Sequence, residues 1–292
     1  MSLMAKVRRL DAFADANRTL LSLPRRTLNR MDQPVLLTGA GGRVGQAILG
    51  HIGDAYDWRL LDREPLPDEK IPASVDRTNV YVADVTDETA VKNAMDGVYA
   101  VIHLAGDPRP EAPWDSVLRN NIDGTQKMYQ AAVDAGVEKF AFASSNHAVG
   151  AYETEERTPD MYRSHHEFRL DGNELPRPSN LYGVSKATGE TLGRYYHDHH
   201  DISVVNVRIG NLTQHHPPKE YERGQAMWLS YRDCAHLFEC CLEADYDYEI
   251  VYGISDNDRK YYSIDRAREV LGYDPVDNSA EYTFEGEPLD EV

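Results

Sequence analysis

The sequence has few cysteines and no long apolar run. Its three cysteines, Cys234, Cys240 and Cys241, lie in one apolar stretch and form no C-x-x-C pair. This pattern indicates neither a disulfide framework nor a zinc site, and it is typical of a protein of the reducing cytoplasm. No run of about 18 apolar residues is present, so the sequence offers no candidate membrane span.

Basic residues are concentrated in the first 30 positions. Residues 1–30 contain seven basic and two acidic side chains, a net charge of +5. Since the whole chain carries −18, residues 31–292 carry −23. We expect the fold to begin near Met31 and residues 1–30 to be a basic extension outside it, with a nucleic-acid-binding arm as the alternative. This segment lacks the apolar stretch of a secretory signal.

Lysine is rare in the acidic part, which has seven lysines from Lys70 to Lys260. So large a negative charge repels itself unless salt screens it, and halophilic proteins carry such surfaces. We therefore expect a cytoplasm of high salt concentration. Nucleic acid and acidic membranes are not expected as partners, because they carry the same sign of charge. A homo-oligomer stays open.

Short apolar strands alternate with helical segments from Pro34 onward. The pattern predicts strands at 34–38, 58–61, 80–82, 100–104, 139–143 and 203–208, and helices at 88–95, 114–135 and 181–199, the first of them capped by Thr86. Such alternation predicts an α/β fold, a doubly wound parallel sheet of Rossmann type. We expect a dinucleotide-binding domain at 31–210. A small substrate-binding part follows at 211–292, with a helix and a strand that return to the core.

The turn after the first predicted strand carries a cofactor signal. Gly39, Gly42 and Gly45 have the spacing G-x-x-G-x-x-G, which suits a tight turn that approaches a pyrophosphate at a helix N-terminus. Asp62 follows at the end of the second strand, where a carboxylate accepts hydrogen bonds from the adenosine ribose and repels a 2′-phosphate. The pattern favours NAD over NADP, although the neighbouring Arg63 is of a type that accommodates that phosphate.

Tyr182 and Lys186 share one face of the predicted helix at 181–199, because they are four residues apart. A tyrosine phenol has a pKa near 10, too high for a base at neutral pH, and a neighbouring ammonium favours the phenolate. The spacing therefore indicates a general base with a cationic partner.

Further motifs accompany this pair in a fixed order: Ala83-Asp84-Val85, His103-Leu104-Ala105-Gly106, Asn121-Ile122-Asp123-Gly124-Thr125 and Ser144-Ser145. With the glycine turn, they resemble the extended short-chain dehydrogenase/reductases across residues 34–210. The resemblance implies Tyr182 as the base, Lys186 as its partner, Ser145 as the hydroxyl that orients the substrate, and Asn121 as a support of the lysine through a water. It also implies that NAD is held by Gly39, Gly42, Arg43, Val44, Gly45, Asp62, Asp84, Val85, Leu104, Ala105 and Gly106.

Within this family, the segments at 144–150, 181–186 and 207–210 resemble the uronate dehydrogenases, which oxidise the anomeric carbon of a sugar acid. The resemblance implies that Asn146, His147 and Arg208 contact the sugar; a loop held by side-chain hydrogen bonds is the alternative for the first two. Where those enzymes carry a small hydroxyl residue after the fourth strand, this chain reads Asp107-Pro108-Arg109. A guanidinium suits phosphate, so Arg109 is the first candidate for the far end of the sugar.

Residues 31–292 as a whole are similar to the NAD-dependent glucose-6-phosphate dehydrogenases of halophilic archaea, which belong to the same family. This resemblance implies oxidation of glucose 6-phosphate at the anomeric carbon to 6-phosphogluconolactone. A uronate or free aldose dehydrogenase is the alternative, and a sugar-nucleotide epimerase or dehydratase comes third. The sequence does not choose among the other cations near the expected cleft, His215, His216, Lys219 and Arg223. The histidine-rich segment 197–200 has no second ligand pair at zinc spacing, so no metal is expected.

Overall fold

A parallel sheet forms the centre of the computed structural model, which describes residues 33–163, 166–219 and 222–282. The strands are β1 (Pro34–Thr38), β2 (Asp57–Asp62), β3 (Val80–Val82), β4 (Ala100–His103), β5 (Lys139–Ser145), β6 (Ser203–Ile209), β7 (Asn211–Thr213), β8 (Trp228–Ser230) and β9 (Tyr248–Gly253). Seven of them form one sheet in the order β3-β2-β1-β4-β5-β6-β9, and β7 pairs with β8. All described pairs between these strands are parallel. The prediction of a doubly wound α/β fold is confirmed, whereas the prediction for residues 1–30 lies outside the described residues.

Helices cover both faces of the sheet. They are α1 (Arg43–Ile52), α2 (Glu88–Met95), α3 (Gly124–Ala135), α4 (Leu181–His200), α5 (Glu222–Ala226), α6 (Tyr231–Glu243) and α7 (Asp265–Leu271). Along β1, Val35 and Leu37 face one apolar cluster, whereas Leu36 faces the other. Because both faces are buried, the central strands read as continuous apolar runs rather than as alternating ones.

Three local details differ from the sequence prediction. Asp87, not Thr86, caps α2, since its carboxylate accepts the N–H groups of Thr89 and Ala90 at 3.0 and 3.1 Å. The predicted helix at 114–135 consists of a short turn (Trp114–Ser116), a π-helical segment (Val117–Asp123) and α3. Strand β5 runs two residues beyond Ala143, because Ser144 and Ser145 still pair with β6.

The last part of the chain contributes to the same sheet. Strand β9 pairs with β6 at the edge, and α6 packs against α1. The buried ammonium of Lys139, at the start of β5, donates to the carbonyls of Leu242 and Ala244 at 2.7 and 2.8 Å and so holds the C-terminal end of α6. In the part of the chain that the structure describes, no helix is long and apolar enough to cross a membrane.

Candidate active site

A cavity of about 780 Å³ opens at the carboxyl edge of the sheet, between the ends of β1 and β4. The strand order reverses at this point, which is where doubly wound sheets bind ligands. The structure brings every residue of the predicted cofactor set into the cavity wall: Gly39, Gly42, Arg43, Val44, Gly45, Asp62, Asp84, Val85, Leu104, Ala105 and Gly106. Tyr182, Lys186 and Ser145 lie in the same wall.

The glycine turn between β1 and α1 has the geometry of a dinucleotide cradle. Gly39 has a φ of +69°, and a Cβ added there would lie 2.9 Å from the backbone nitrogen of Ala105. Position 39 therefore requires glycine for two reasons: its backbone is left-handed, and two loops approach each other closely there. Helix α1 begins directly after Gly42 without a side-chain cap, so its first N–H groups are left for a ligand.

The adenosine end of such a cradle is lined by the carboxylates of Asp62, Glu64 and Asp84 and by several cations. Asp62 accepts a hydrogen bond from the N–H of Gly41 at 2.8 Å, which fixes the carboxylate at the end of β2. Arg43, Arg63 and Lys70 also line this part of the cavity, and the ammonium of Lys70 donates to the carbonyl of Gly41 at 3.1 Å. These residues fit a dinucleotide whose ribose hydroxyls meet the carboxylate.

Helix α4 carries Tyr182 to the carboxyl end of β5. A Cβ on Gly183 would lie 2.2 Å from the carbonyl oxygen of His147, so the helix approaches the end of the strand this closely because residue 183 is glycine. Tyr182 packs edge-on against the ring of His147, with 5.7 Å between the centroids. Burial raises the pKa of Tyr182 to about 12, although a hydrogen bond with Ser145 opposes this rise.

Lys186 is buried one helical turn after Tyr182. Its ammonium donates to the carbonyl of Ala143 at 2.7 Å and lies 5.6 Å from the centroid of the Tyr182 ring. Burial lowers the pKa of Lys186 to about 8. Burial of the Tyr182 phenol therefore outweighs the effect on its pKa that the sequence led us to expect from the neighbouring ammonium.

Asn121 lies within the π-helical segment, a type of helix that recurs at functional sites. Its amide nitrogen donates to the hydroxyl of Ser185 and to the carbonyl of Asp107, both at 3.0 Å, and its oxygen accepts the N–H of Asp107 at 2.6 Å. Asn121 thus joins the loop after β4 to the residue before Lys186. It stands behind the cavity wall, and its predicted support of the lysine through a water stays a prediction.

Two of the four predicted sugar contacts lie in the cavity wall, in the 3-10 turn after β5. The amide nitrogen of Asn146 donates to the carbonyl of Ile209 at 3.0 Å. The imidazole of His147 lies within 3.1 Å of both the Ser179 hydroxyl and the Asn180 amide, and burial lowers its pKa. Both side chains are therefore fixed before any substrate arrives.

The structure does not bring Arg208 into the cavity. Its side chain is fully buried, and Nε and Nη2 donate to the two carboxylate oxygens of Glu190, each at 2.9 Å. Nη1 donates to Glu174 and to the hydroxyl of Tyr252. The prediction of a sugar contact for Arg208 is thus corrected, because this guanidinium neutralises a carboxylate inside the core.

Arg109 also lies outside the cavity wall, although Pro108 and Pro110 on either side of it belong to that wall. Its exposed guanidinium is held by the carboxylate of Asp107, with Nε at 2.9 Å and Nη2 at 2.6 Å. Among the described residues Arg223 does line the cavity wall, beside Asn146; the sequence analysis included it among the candidate cations without preferring it. Nη2 of Arg223 donates to the side-chain oxygen of Asn146 at 3.0 Å.

The described residues outside the cavity include no cluster of metal-ligand type. Across residues 33–163, 166–219 and 222–282, no three His, Cys, Asp or Glu side chains form a group that could hold an ion. In the histidine-rich end of α4, the Nδ1 atoms of His197 and His199 lie within hydrogen-bond distance of backbone carbonyls. The buried thiols of Cys234 and Cys241 have pKa values raised by burial, so they pack as apolar groups.

Comparison with known proteins connects this geometry to sugar oxidation. Residues 35–237 match the family described as the NAD dependent epimerase/dehydratase family. The chain is 92% identical over 262 residues to the NAD-dependent glucose-6-phosphate dehydrogenase of Haloferax volcanii, across 90% of this chain and 100% of that protein. It is 36% identical to the L-arabinose 1-dehydrogenase (NAD(P)(+)) of the same organism, across 84% of this chain and 97% of that protein. Among solved structures, a mutant uronate dehydrogenase from Agrobacterium tumefaciens complexed with NAD has a TM-score of 0.71 at 30% identity, over 85% of this chain and 86% of that one.

Proposed function

Because the chain belongs to the NAD-dependent epimerase/dehydratase family, we propose that it oxidises glucose 6-phosphate at the anomeric carbon, with NAD⁺ as acceptor and 6-phosphogluconolactone as product. The proposal depends on one arrangement: Tyr182 and Ser145 share a cavity with a wall formed by Asn146, His147 and Arg223. The 92% identical relative from H. volcanii, matched over its whole length, is named for this activity.

The cofactor residues divide between two ends of the cavity. The glycine turn and the start of α1 hold the pyrophosphate, and the carboxylate of Asp62 accepts hydrogen bonds from the adenosine ribose. When bound, NAD⁺ supplies the acceptor for the hydride that leaves the sugar. The chain's own task is therefore to bind, orient and deprotonate the sugar.

Tyr182 acts as the base that removes the proton of the anomeric hydroxyl, and Ser145 donates a hydrogen bond to the oxygen as the carbonyl develops. Burial raises the pKa of Tyr182 to about 12, so little phenolate exists at neutral pH. The ammonium of Lys186 favours the phenolate while it is protonated, at pH values below about 8. We infer that the proton leaves Tyr182 only when the site is assembled.

The sugar ring lies against Asn146 and His147, whose polar atoms accept and donate hydrogen bonds to its hydroxyls. Arg223 binds the phosphate at the other end, because it is the arginine that lines this part of the cavity in the described structure. A guanidinium holds a carboxylate equally well, which keeps uronate oxidation as the second candidate. The solved uronate dehydrogenase at a TM-score of 0.71 supports this second candidate, but at 30% identity it does so less strongly than the 92% identical relative supports the first.

Substrate comparison in concentrated potassium chloride tests the proposal. NAD reduction is followed with glucose 6-phosphate, glucuronate, galacturonate, glucose and arabinose under identical conditions. We expect the highest kcat/KM with glucose 6-phosphate, and a preference for NAD over NADP. Activity on uronates alone would contradict the proposal and select the second candidate. The net charge of −18 and the buried free thiols support a salt-rich, reducing cytoplasm as the place of this reaction.

A further inference from the structure

Behind the cavity wall, the carboxylate of Glu153 collects five hydrogen bonds. Arg223 donates from Nε to Oε2 and from Nη2 to Oε1, the latter at 2.8 Å. The hydroxyl of Tyr162 donates to Oε2 at 2.9 Å, and those of Tyr261 and Tyr262 donate to Oε1 at 2.9 and 3.3 Å. Since a carboxylate has about four lone-pair sites, these donors saturate it. Glu153 itself does not line the cavity.

This buried cluster continues into the cavity through one guanidinium. Nη2 of Arg223 also donates to the side-chain oxygen of Asn146 at 3.0 Å, and Asn146 is anchored to the carbonyl of Ile209. Burial on its own raises the pKa of Glu153, but the hydrogen bonds and charge of Arg223, with the tyrosine hydroxyls, lower it overall. The carboxylate is therefore ionised, and it fixes the plane of the guanidinium from behind.

We propose that Glu153 is a positioning residue for the anionic end of the sugar, and that Tyr162, Tyr261 and Tyr262 hold Glu153 in turn. This inference rests on the function proposed above, since Arg223 is taken there as the phosphate ligand. The tyrosines come from two separate parts of the chain, the 3-10 turn Asp160–Tyr162 and the segment after β9. The charged end of the substrate is thus recognised by residues that the sequence places far apart.

Salt explains why such a support matters in this protein. At 1 M salt the Debye length is about 3 Å, so long-range attraction between Arg223 and an anion is screened. Affinity must then come from direct contact, and a guanidinium already fixed in its binding orientation loses less freedom when the anion arrives. A flexible arginine at the same place would bind less well.

The substitution Glu153→Gln tests this role, because glutamine keeps the size but places an NH₂ group against the guanidinium. We expect the KM for glucose 6-phosphate to rise about tenfold or more, as for a lost charge-assisted hydrogen bond. The kcat at saturation and the Kd for NAD should change little. The matched control is Glu249→Gln, since Glu249 holds Arg266 in the same two-bond geometry, at 2.8 and 2.6 Å, outside the cavity wall. The control should leave all three constants unchanged.

A milder variant covers the case in which Glu153→Gln does not fold. Tyr162→Phe removes one donor from the carboxylate and should raise the same KM by a smaller factor. Its control, Tyr56→Phe, removes a hydroxyl that donates to Glu243 at 2.8 Å, away from the cavity wall. An unchanged or lower KM in the Glu153 variant, or in the Tyr162 variant if the first does not fold, would overturn the inference. If the wild-type enzyme oxidises uronates instead, the proposed function fails, and the KM for glucuronate in the same variants decides the role of Glu153 separately.

Discussion

The substitution Arg208→Met tests whether Arg208 stabilises the fold or contacts the substrate. Methionine keeps an apolar chain of similar length but removes the guanidinium, which makes two hydrogen bonds of 2.9 Å to Glu190. It also removes the contacts of 3.3 Å with Glu174 and 3.2 Å with the hydroxyl of Tyr252. Glu190 would then keep the hydroxyl of Ser144, at 2.6 Å, as its described hydrogen-bond partner.

The expected cost follows from the burial of this ion pair. The side chains of Arg208 and Glu190 are 0% and 3% exposed, so water cannot take the place of the lost guanidinium. Loss of one member of a buried pair costs about 3–5 kcal/mol of folding free energy, because the other charge stays in the core without compensation. Replacement of both residues by apolar ones should recover much of this loss.

Urea unfolding at constant potassium chloride concentration measures this free energy for the wild type, Arg208→Met and the double variant Arg208→Met/Glu190→Met. The control Arg266→Met removes a similar pair in which the arginine is 41% exposed, and it should cost about 1 kcal/mol or less. The KM for the sugar should be unchanged in folded Arg208→Met enzyme. A raised KM with unchanged stability would refute the structural assignment and return Arg208 to the substrate site.

Three further predictions concern the cavity itself. Tyr182→Phe should lower kcat by about 10²- to 10⁴-fold, as for loss of a general base, while NAD binding measured by fluorescence stays intact; unchanged turnover would contradict the assignment. Asp62→Ser should shift the ratio of kcat/KM for NAD over NADP toward NADP by about tenfold or more, since Arg43 and Arg63 remain beside the lost carboxylate; an unaltered ratio would show that Asp62 does not select the cofactor. Burial lowers the pKa of Lys186 from 10.5 to about 8, so between these pH values the unfolded chain binds more protons at this residue and its contribution to folding stability rises with pH. We therefore compare the free energy of unfolding of Lys186→Met with that of the wild type by urea unfolding at several pH values. The value for the variant minus that for the wild type should be greatest below pH 8 and should fall by at most about 1.4 kcal/mol per pH unit up to pH 10.5. A difference that does not depend on pH would refute this prediction.

The cofactor half of the cavity could be predicted from the sequence because its signals are local. Gly39, Gly42 and Gly45 lie in one turn, and Asp62 ends the next strand, so their spacing along the chain already encodes their proximity. Strand alternation gave the fold for the same reason. The glycine turn, Asp62 and the alternation of strands and helices could be predicted because the residues that form them lie close together both in the sequence and in the fold.

The positions of Arg208 and Arg223 could not be predicted in this way. Arg208 and Arg223 have the same chemistry, yet one is enclosed with Glu190 and the other lines the cavity beside Asn146. A signal for Arg208 was present, because it follows the buried run 204–207 in a strand covered on both faces, where a charge requires a partner. No comparable signal marks Arg223, since its position depends on Glu153, which is 70 residues away in the chain.

The π-helical segment Val117–Asp123 contains one residue more than an α-helix would need over the same length. Each residue of an ordinary α-helix turns the chain by about 100° around the helix axis. Deletion of one residue from this segment would therefore rotate the residues that precede the deletion by that angle relative to α3. Asn121 would lose its register with Ser185 and with the loop after β4. Relatives in which this segment is an ordinary α-helix should therefore show a one-residue gap here when their sequences are aligned with this one. Transfer of the loop at 107–113 between such a relative and this protein should fail unless the π-helical segment is transferred with it.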